Sequence, residues 1–257
     1  MFRRSLFVIA GSILMGAAEP PWRTPGACVT PTGTLCRTLE YESSGWANRS
    51  WGFHAIERYR DRLTEAVRSD GTAMLLISHR SFRLYVVPSE SYDRARIILP
   101  AKRETFEVEH SLKEYRKLGG LWWFSEYWTD ESDCSQRATL AGEMRRKTGK
   151  ELILASIRAV EYVYETADDR IVQRIAFAPS LGCTAVAFSL STRNHAGLPT
   201  SEDQLRLVSA TLGEPDQKLF AIPGDYHVMR SDKPWPYVWM DKFPGNITTT
   251  SFSMPVP

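Results

Sequence analysis

Histidines and carboxylates are the residues of this chain best suited to proton-transfer or metal chemistry, and they are scattered along it. His54 and Glu57 would lie one helical turn apart, as would His110 and Glu114. Neither pair has a second histidine nearby, and such a pair is typical of a surface ion pair or a helix cap. The other histidines are isolated in the sequence: His79, His195 and His227. A serine or cysteine triad would need partners that only folding brings together.

No sequence motif of a common catalytic or nucleotide-binding site is present. The sequence contains no G-x-S-x-G, no H-E-x-x-H, no G-x-x-x-x-G-K-[ST] and no G-x-G-x-x-G. The adjacent carboxylates Asp130 with Glu131 and Asp168 with Asp169 are typical of solvated turns, because acid and base groups usually come from different elements. The sequence therefore predicts no enzyme, no cofactor and no metal ion.

The four cysteines favour disulfide bonds. They are Cys28, Cys36, Cys134 and Cys183, and an even count in an oxidising compartment predicts a disulfide framework with three possible connectivities. We favour Cys28 with Cys36, which encloses a turn-rich segment, and Cys134 with Cys183. A metal site is the alternative, but no pair has C-x-x-C spacing and no histidine lies near any of the four.

The aromatic run at residues 121–128 is the feature that most invites a functional interpretation. On a curved sheet these rings could line a concave apolar cavity for an acyl chain or for a peptide of a partner protein. The alternative is that they form the core between the sheet and a small helical layer. The candidate ligand-binding residues are Trp122, Trp123, Phe124, Tyr127 and Trp128.

The first 18 residues have the three parts of a secretory signal peptide. Arg3 and Arg4 precede an apolar stretch at residues 6–15, and Gly-Ala-Ala at residues 16–18 offers a cleavage site. The stretch is too short to cross a bilayer comfortably, although an uncleaved anchor or a buried helix is the alternative. We expect a periplasmic or secreted product that has no stable membrane span after cleavage.

Composition and charge agree with a globular exported domain. The chain is 43% apolar and 24% charged, which is ordinary globular composition. Of its 32 basic residues two lie in the leader, so the remainder balances 30 basic against 30 acidic groups. This balance removes the electrostatic grounds for a nucleic-acid partner.

The first half of the chain predicts strands. Residues 60–68 and 72–78 flank Ser-Asp-Gly, a strong hairpin signal, although residues 55–67 alone could also form an amphipathic helix. Further strands are expected at 82–87, 94–99 and 104–109. In the last of these Phe106 and Val108 face one way, and the other face should be wet, with Thr105, Glu107 and Glu109. Residues 111–118 suggest a short helix.

The second half predicts an antiparallel meander. Its strands are expected at residues 157–165, 171–178 and 184–191, and a further strand at 205–211. Residues 136–148 are expected to form a loop, and the tail after Asp225 is Pro-rich and predicted to be irregular. No linker or repeat divides the chain. The prediction is mainly β: one domain at residues 19–257, a curved, largely antiparallel sheet with few short helices and a Pro-rich tail at about 229–257.

Three segments carry a resemblance to a known family. They are Arg68–Thr72 in the early hairpin, Phe177–Cys183, and Gly213–Phe220 running into Ile222–Tyr226. With the strand order between them, they resemble the LolA-like half-barrel superfamily, shared by periplasmic lipoprotein carriers and RseB-type regulators, and in particular exported bacterial proteins of unknown function. In physical terms the last segments look like fold markers, since Phe220 and Tyr226 are apolar plugs that would fasten the chain end to the sheet.

The resemblance implies binding rather than catalysis. It implies a non-catalytic periplasmic binding protein that holds an apolar ligand, such as a lipid or an acyl chain, in a half-barrel cavity. An envelope protein-interaction or signalling module is the alternative, and a disulfide-stapled secreted hydrolase is a second one. The hydrolase predicts convergent polar groups inside a cleft.

Overall fold

A computed structural model describes residues 27–31, 33, 35–50, 54–83, 91–118, 134, 145–166 and 168–229. The predicted signal peptide at residues 1–18 lies outside these residues, as does the tail from residue 230. None of the helices in the described part of the chain has the length and the apolar character that a bilayer-spanning helix needs.

The described residues form one mainly antiparallel sheet of twelve strands, as the sequence predicted. In the sheet the strands lie in the order β12-β6-β5-β4-β3-β2-β1-β11-β10-β9-β8-β7. In chain order they are β1 (Arg37–Ser50), β2 (His54–Val67), β3 (Ala73–Arg83), β4 (Ser91–Leu99), β5 (Glu104–Glu109), β6 (Glu114–Leu118), β7 (Arg145–Leu154), β8 (Ile157–Glu165), β9 (Ile171–Ala178), β10 (Thr184–Arg193), β11 (Pro199–Leu212) and β12 (His227–Val228). Three short 3-10 helices lie at Pro100–Lys102, Pro179–Leu181 and Gln217–Phe220.

The predicted hairpin of β2 and β3 is confirmed. Gly71 adopts a φ of 80°, in the left-handed region that glycine tolerates, and the Asp70 carboxylate accepts a hydrogen bond of 2.8 Å from the amide of Thr72. The helical alternative for residues 55–67 is wrong, because that whole segment lies in β2 and pairs with both β1 and β3. Phe82 belongs to β3 rather than to a separate strand, and residues 84–87 lie outside the described residues.

The short helix predicted at residues 111–118 is wrong. Residues 110–113 form a turn, in which Lys113 has a φ of 54°, and the chain then enters β6. Pairing with β5 brings Arg116 opposite Glu107 and Tyr115 opposite Val108. This match of charge on one face and of apolar surface on the other outweighs the local helical tendency.

The predicted meander is confirmed as β8, β9 and β10, whose successive pairs are antiparallel. Asp168 and Asp169 lie in the first turn, and the Pro179–Leu181 helix forms the second, ended by Gly182 with a φ of 64°. The predicted strand at 205–211 is the second half of β11. β7 begins at Arg145, so the last residues of the predicted 136–148 loop are strand instead.

The sheet curls so that its ends pack over its middle. Leu154 of β7 and Ala159 of β8 lie in the same buried cluster as Leu39 of β1 and Leu63 of β2. We call the face of β1–β6 that carries Leu39, Leu63 and Ile77 the inner face. The strands β7 and β12 end the sheet and are not paired with each other, so the described strands do not close into a barrel.

The part of the opposite, outer face of β2–β6 that lies near the β2–β3 turn is covered by the segment that contains Phe220 and Tyr226. Phe220 packs with Ala66, Met74 and Ile97, and Tyr226 lies against the same cluster. Their predicted role as plugs that fasten the last segment is thus confirmed. The chain then reaches β6, where His227 and Val228 pair in parallel with it. The tail predicted to be irregular after Asp225 therefore begins with a short strand.

The two favoured cysteine pairings are confirmed. Cys28–Cys36 and Cys134–Cys183 both have an S–S distance of 2.07 Å, and the second bond spans 49 residues. Cys134 and Cys183 lie within a buried cluster of β8–β10 residues that includes Tyr162. The second bond therefore fastens the mid-chain segment onto the meander.

A buried ion pair joins three parts of the sheet. Arg37 is fully buried, and its Nη2 lies 2.7 Å from Oε1 of Glu65 on β2. Its Nη1 donates to the carbonyl of Leu181, 3.3 Å away, in the turn between β9 and β10. One guanidinium therefore ties β1 to its neighbour and to the far half of the sheet.

We predict that Arg37→Met destabilises the fold strongly, by about 3–5 kcal/mol, because Glu65 then stays buried without its counter-charge. The double variant Arg37→Met/Glu65→Leu should recover much of this loss, since no buried charge remains. Urea unfolding of both variants measures the difference. Lys113→Met is the control, since its ion pair with Asp225 is exposed and should have little effect on stability. A single variant as stable as the unmodified protein would contradict the prediction.

Candidate functional site

The candidate ligand-binding residues from the sequence lie outside the described residues. These are Trp122, Trp123, Phe124, Tyr127 and Trp128, and the aromatic wall that they would form stays a prediction. The site described below is therefore built from other residues, on the inner face of β1–β6.

A histidine–carboxylate couple lies at the centre of this face. His79 on β3 stands opposite Asp61 on β2, and its Nδ1 lies 2.6 Å from Oδ1 of Asp61. Both residues are buried, with 7% and 6% of their surface exposed. An ionised carboxylate only accepts hydrogen bonds, so Nδ1 carries a proton, and Nε2 is the ring nitrogen left to contact a ligand. Nε2 is the distal ring atom, and among the described residues no group is hydrogen-bonded to it.

Two aromatic rings lie next to His79. The Tyr92 ring stacks on it at 4.6 Å between centroids and at 17° between planes, and the centroid of the Tyr59 ring lies 6.2 Å away. The Arg94 guanidinium carbon lies 4.0 Å from the centre of the Tyr92 ring, a cation–π contact. These contacts fix the plane of the imidazole, so Nε2 has a defined direction.

A tyrosine–aspartate hydrogen bond crosses β1 beside this couple. The hydroxyl of Tyr59 donates to Oδ1 of Asp203 on β11, two strands away. Gly45 lies between them, paired with both, and a Cβ there would be only 2.6 Å from the Tyr59 hydroxyl and 2.5 Å from the Asp203 oxygen. Only glycine leaves room for this bond. Ser43 also hydrogen-bonds to the Tyr59 hydroxyl.

Burial and the Asp203 hydrogen bond raise the pKa of Tyr59, and the charges of Asp203 and Asp61 raise it further. The pKa of Tyr41, on the same face, is also raised, first by burial and then by the charge of Glu65. Both phenols therefore keep their protons at neutral pH, and these protons are already donated within the protein, that of Tyr59 to Asp203 and that of Tyr41 to the carbonyl of Ala185.

Arginine–carboxylate pairs continue the inner face from β4 to β6. Arg94 pairs with Glu109 and Arg96 with Glu107 across β4 and β5. Arg116 on β6 adds a second bond to Glu107, 2.8 Å from Nε to Oε2. Three strands thus share one ladder of charge-assisted hydrogen bonds.

The ladder corrects the prediction of a wet face on β5. Thr105, Glu107 and Glu109 are buried, with 0%, 2% and 3% of their surface exposed. The alternating polar residues of this strand predicted a face exposed to water, because carboxylates without a partner are rarely buried. Here arginines on both neighbouring strands supply the partners that water would otherwise provide.

The cysteines do not form a metal site in the described residues. Cys28, Cys36 and Glu214 bring ligand-type atoms close together, but both sulfurs are used in their disulfide. Glu214 instead accepts from the amide of Ser69 at 2.9 Å and pairs with Arg68 at 3.1 Å. This carboxylate therefore holds the β2–β3 turn against the end of β11.

The inner-face site combines an oriented imidazole, two neutral phenols and paired charges. An imidazole held by a carboxylate is also the arrangement of a catalytic base. Within the described residues, however, no serine, threonine or cysteine side chain bonds to His79. The arrangement is therefore suited to hydrogen-bond a polar group of a ligand at Nε2, and these described residues assemble no acyl-transfer centre.

Sequence reasoning treated His79 as isolated, although a usable signal was present. The hairpin turn at residues 68–72 was identified correctly, and it fixes which residues of β2 and β3 face each other. Val67 pairs with Ala73, and counting outward from this pair reaches Asp61 opposite His79. Gly45 and Asp203 carried no comparable local signal, because β1 and β11 are distant in the sequence.

Comparison with known proteins gives matches at the level of structure alone. Neither a protein-family model nor a curated protein matches this chain. The MucA/MucB complex of Pseudomonas aeruginosa matches with 15% identity and a TM-score of 0.37. The match covers 78% of this chain and 62% of the matched chain, so this chain spans about three fifths of the length of that protein. A β-barrel-like protein of unknown function from Brucella abortus matches with 7% identity and a TM-score of 0.24, over 70% of this chain and 99% of that one.

A domain described as an outer membrane lipoprotein-sorting protein, from Vibrio parahaemolyticus, matches with 8% identity and a TM-score of 0.16, over 72% of this chain and 89% of that one. At such identities and TM-scores the likeness concerns the fold alone.

We predict that stability falls as pH rises above about 10, and that Tyr59→Phe weakens this dependence. An unfolded tyrosine ionises near pH 10, whereas folded Tyr59, with its raised pKa, keeps its proton. Unfolding then releases a proton, so each such tyrosine lowers the free energy of unfolding by about 1.4 kcal/mol per pH unit. Urea unfolding between about pH 9 and pH 12 should give a shallower slope for Tyr59→Phe. Equal slopes for variant and unmodified protein would contradict this.

Proposed function

We propose that this chain is an exported, non-catalytic binding protein whose ligand lies against the inner face, with a polar group of the ligand at His79. The buried Asp61–His79 couple carries the proposal, since its Nε2 is an oriented ring nitrogen that no described residue hydrogen-bonds. The His79 side chain keeps 9% of its surface accessible. Ser43, Tyr92 and Asp203 around it are only half-buried, so a ligand can approach from this end of the sheet.

The cost of burying charge supports a recognition role for this face. Arg96, Glu107, Glu109 and Asp61 are all buried, and apolar residues of similar volume often give a fold that is as stable or more stable. Sites that recognise polar groups need such oriented donors and acceptors in a dry environment. The charged ladder and the couple supply them on one continuous surface.

The apolar neighbours of the couple support an amphiphilic ligand. On β3, Ile77 lies two residues before His79 on the inner face, and on β2 Leu63 lies two residues after Asp61, so each is about 6.6 Å along its strand from the couple. On β11, Leu205 likewise lies two residues from Asp203. The side chains of Leu63, Ile77 and Leu205 all belong to the same buried cluster. These three side chains are at most 6% exposed, so an acyl chain would extend this core at its His79 end, with the polar end of the ligand at the couple. This refines the apolar ligand expected from the sequence.

The disulfides support export. Both bonds join cysteines of the chain itself, and disulfides persist in oxidising compartments such as the periplasm or the extracellular space. This agrees with the leader predicted at residues 1–18. We therefore place the proposed binding function outside the cytoplasm.

The same couple favours one second candidate function, a hydrolase that uses His79 as its base. Such an enzyme needs a nucleophile or a positioned water at Nε2. A hydrolase would turn over an ester or amide substrate and lose this activity in His79→Gln, whereas a binding protein would retain an intact ligand.

The proposal predicts a bound amphiphile in the protein purified from its own envelope fraction. Native mass spectrometry should show a stoichiometric added mass, and lipid extraction should identify it. His79→Gln should weaken rebinding of the extracted molecule about three- to tenfold, the range of one lost neutral hydrogen bond. His195→Gln is the matched control, because His195 is exposed and lies away from the inner face, beside Arg170.

Two outcomes would contradict the proposal. One is a clean apo mass together with no rebinding of envelope lipids by the unmodified protein. The other is equal affinity of His79→Gln and His195→Gln for the extracted molecule, which would place the ligand elsewhere. Turnover of ester substrates that is lost in His79→Gln would favour the hydrolase instead.

A further inference from the structure

Four arginines lie together on the outer face of β2 and β3. Arg58, Arg60 and Arg62 occupy alternate positions of β2, so their side chains leave the sheet on the same side. Arg80 on β3 stands directly opposite Arg60. All four are exposed.

Neighbouring acids compensate these arginines only in part, since Glu42 on β1 stands opposite Arg62. Arg58, Arg60 and Arg62 form no ion pair with any described residue, and Arg80 lies 3.4 Å from Asp93. Like charges placed directly opposite each other on a sheet are destabilising. The facing Arg60 and Arg80 therefore do not add to the stability of the fold, and together with Arg58 they leave positive charge open to solvent.

Apolar side chains flank the same arginines. Trp46 on β1 and Phe82 on β3 are the two register partners of Arg58. Phe82 is 60% exposed and Ile56, the preceding outward residue on β2, is 37% exposed. We call the surface formed by Trp46, Ile56, Phe82 and the four arginines the basic patch; it lies at the end of β2 farthest from the hairpin turn.

The chemistry of the basic patch matches an anionic lipid surface. Arginines attract anionic headgroups, and exposed aromatic and aliphatic side chains next to them enter the boundary between headgroups and acyl chains. The patch is a sheet face whose backbone groups are already paired within the sheet. It therefore offers no free strand edge to an extended peptide, the usual mode of strand addition.

We propose that the basic patch docks this protein onto a bilayer that contains anionic phospholipid. The proposal is independent of the inner-face ligand, because side chains on alternate positions of β2 serve opposite faces. Arg60 and Arg62 point outward, whereas Asp61 between them points to His79. Docking would leave the inner face directed away from the bilayer surface.

The test is co-sedimentation of the full chain with vesicles. Vesicles of phosphatidylcholine with phosphatidylglycerol should bind the protein, whereas vesicles of phosphatidylcholine alone should not. Binding should fall steeply as salt is raised, because exposed charges are screened. The triple variant Arg58→Gln/Arg60→Gln/Arg62→Gln should lower the partition coefficient about hundredfold, since each basic residue near an anionic surface contributes about 1 kcal/mol.

A charge-matched control separates the basic patch from net charge. Lys102→Gln/Lys150→Gln/Lys218→Gln removes the same charge at exposed positions of three other elements and should lower binding far less. Phe82→Ser should weaken binding while leaving its salt dependence unchanged. Thermal unfolding of each variant checks the fold, and the salt titration of the unmodified protein tests the proposal even if a variant does not fold.

Three results would overturn the proposal. They are equal binding to both kinds of vesicle, equal losses in the two triple variants, and binding of an acidic polypeptide such as polyglutamate without binding of anionic vesicles. The last result would assign the basic patch to a protein partner. Rebinding of the inner-face ligand should be unchanged in the Arg58, Arg60 and Arg62 variant, so failure of this proposal is distinguishable from failure of the proposed function.

Discussion

The register of β2 and β3 is the constraint on which the inner face depends. The turn at residues 68–72 sets it, with Gly71 in a left-handed conformation and Glu214 holding the turn from the end of β11. Because side chains alternate along a strand, a slip of one residue would exchange the two faces. Asp61 would then point to solvent, and Arg60 would enter the interior. The couple, the apolar cluster and the outward arginines are thus consequences of one turn.

Buried charge is distributed over the sheet in two ways. Arg37 and Glu65 form a single ion pair at the first residue of β1, where the guanidinium also donates to the Leu181 carbonyl. The ladder from β4 to β6 is extended, and Glu107 is shared by Arg96 and Arg116. Each charge in these groups has an opposite partner on a neighbouring strand, which limits the desolvation penalty. These ion pairs also favour one pairing register between neighbouring strands, because a shifted strand would leave a buried charge without its partner.

The sequence was sufficient for elements with local signals and insufficient for those defined by distant partners. The β2–β3 hairpin and the β8–β10 meander follow from turn residues and alternation, and both cysteine pairings were favoured correctly. The helix predicted at residues 111–118 was wrong because the pairing of β6 with β5 has no local sequence signal. Glu107 was predicted to face water because its partners, Arg96 and Arg116, lie on other strands. The Asp61–His79 couple could have been predicted from the register of the β2–β3 hairpin. The Tyr59–Asp203 hydrogen bond could not, because it depends on the pairing of β1 with β11, which are distant in the sequence.

The short parallel strand β12 has a consequence for the edge of the sheet. Its amides at His227 and Met229 donate to the carbonyls of Lys113 and Tyr115, so β6 does not offer those acceptors to another molecule. The other terminal strand, β7, carries the exposed charged residues Lys150 and Glu151, and charged residues on an outermost strand disfavour intermolecular pairing. The two ends of the sheet thus resist aggregation by different means, one through the chain's own backbone and the other through charge.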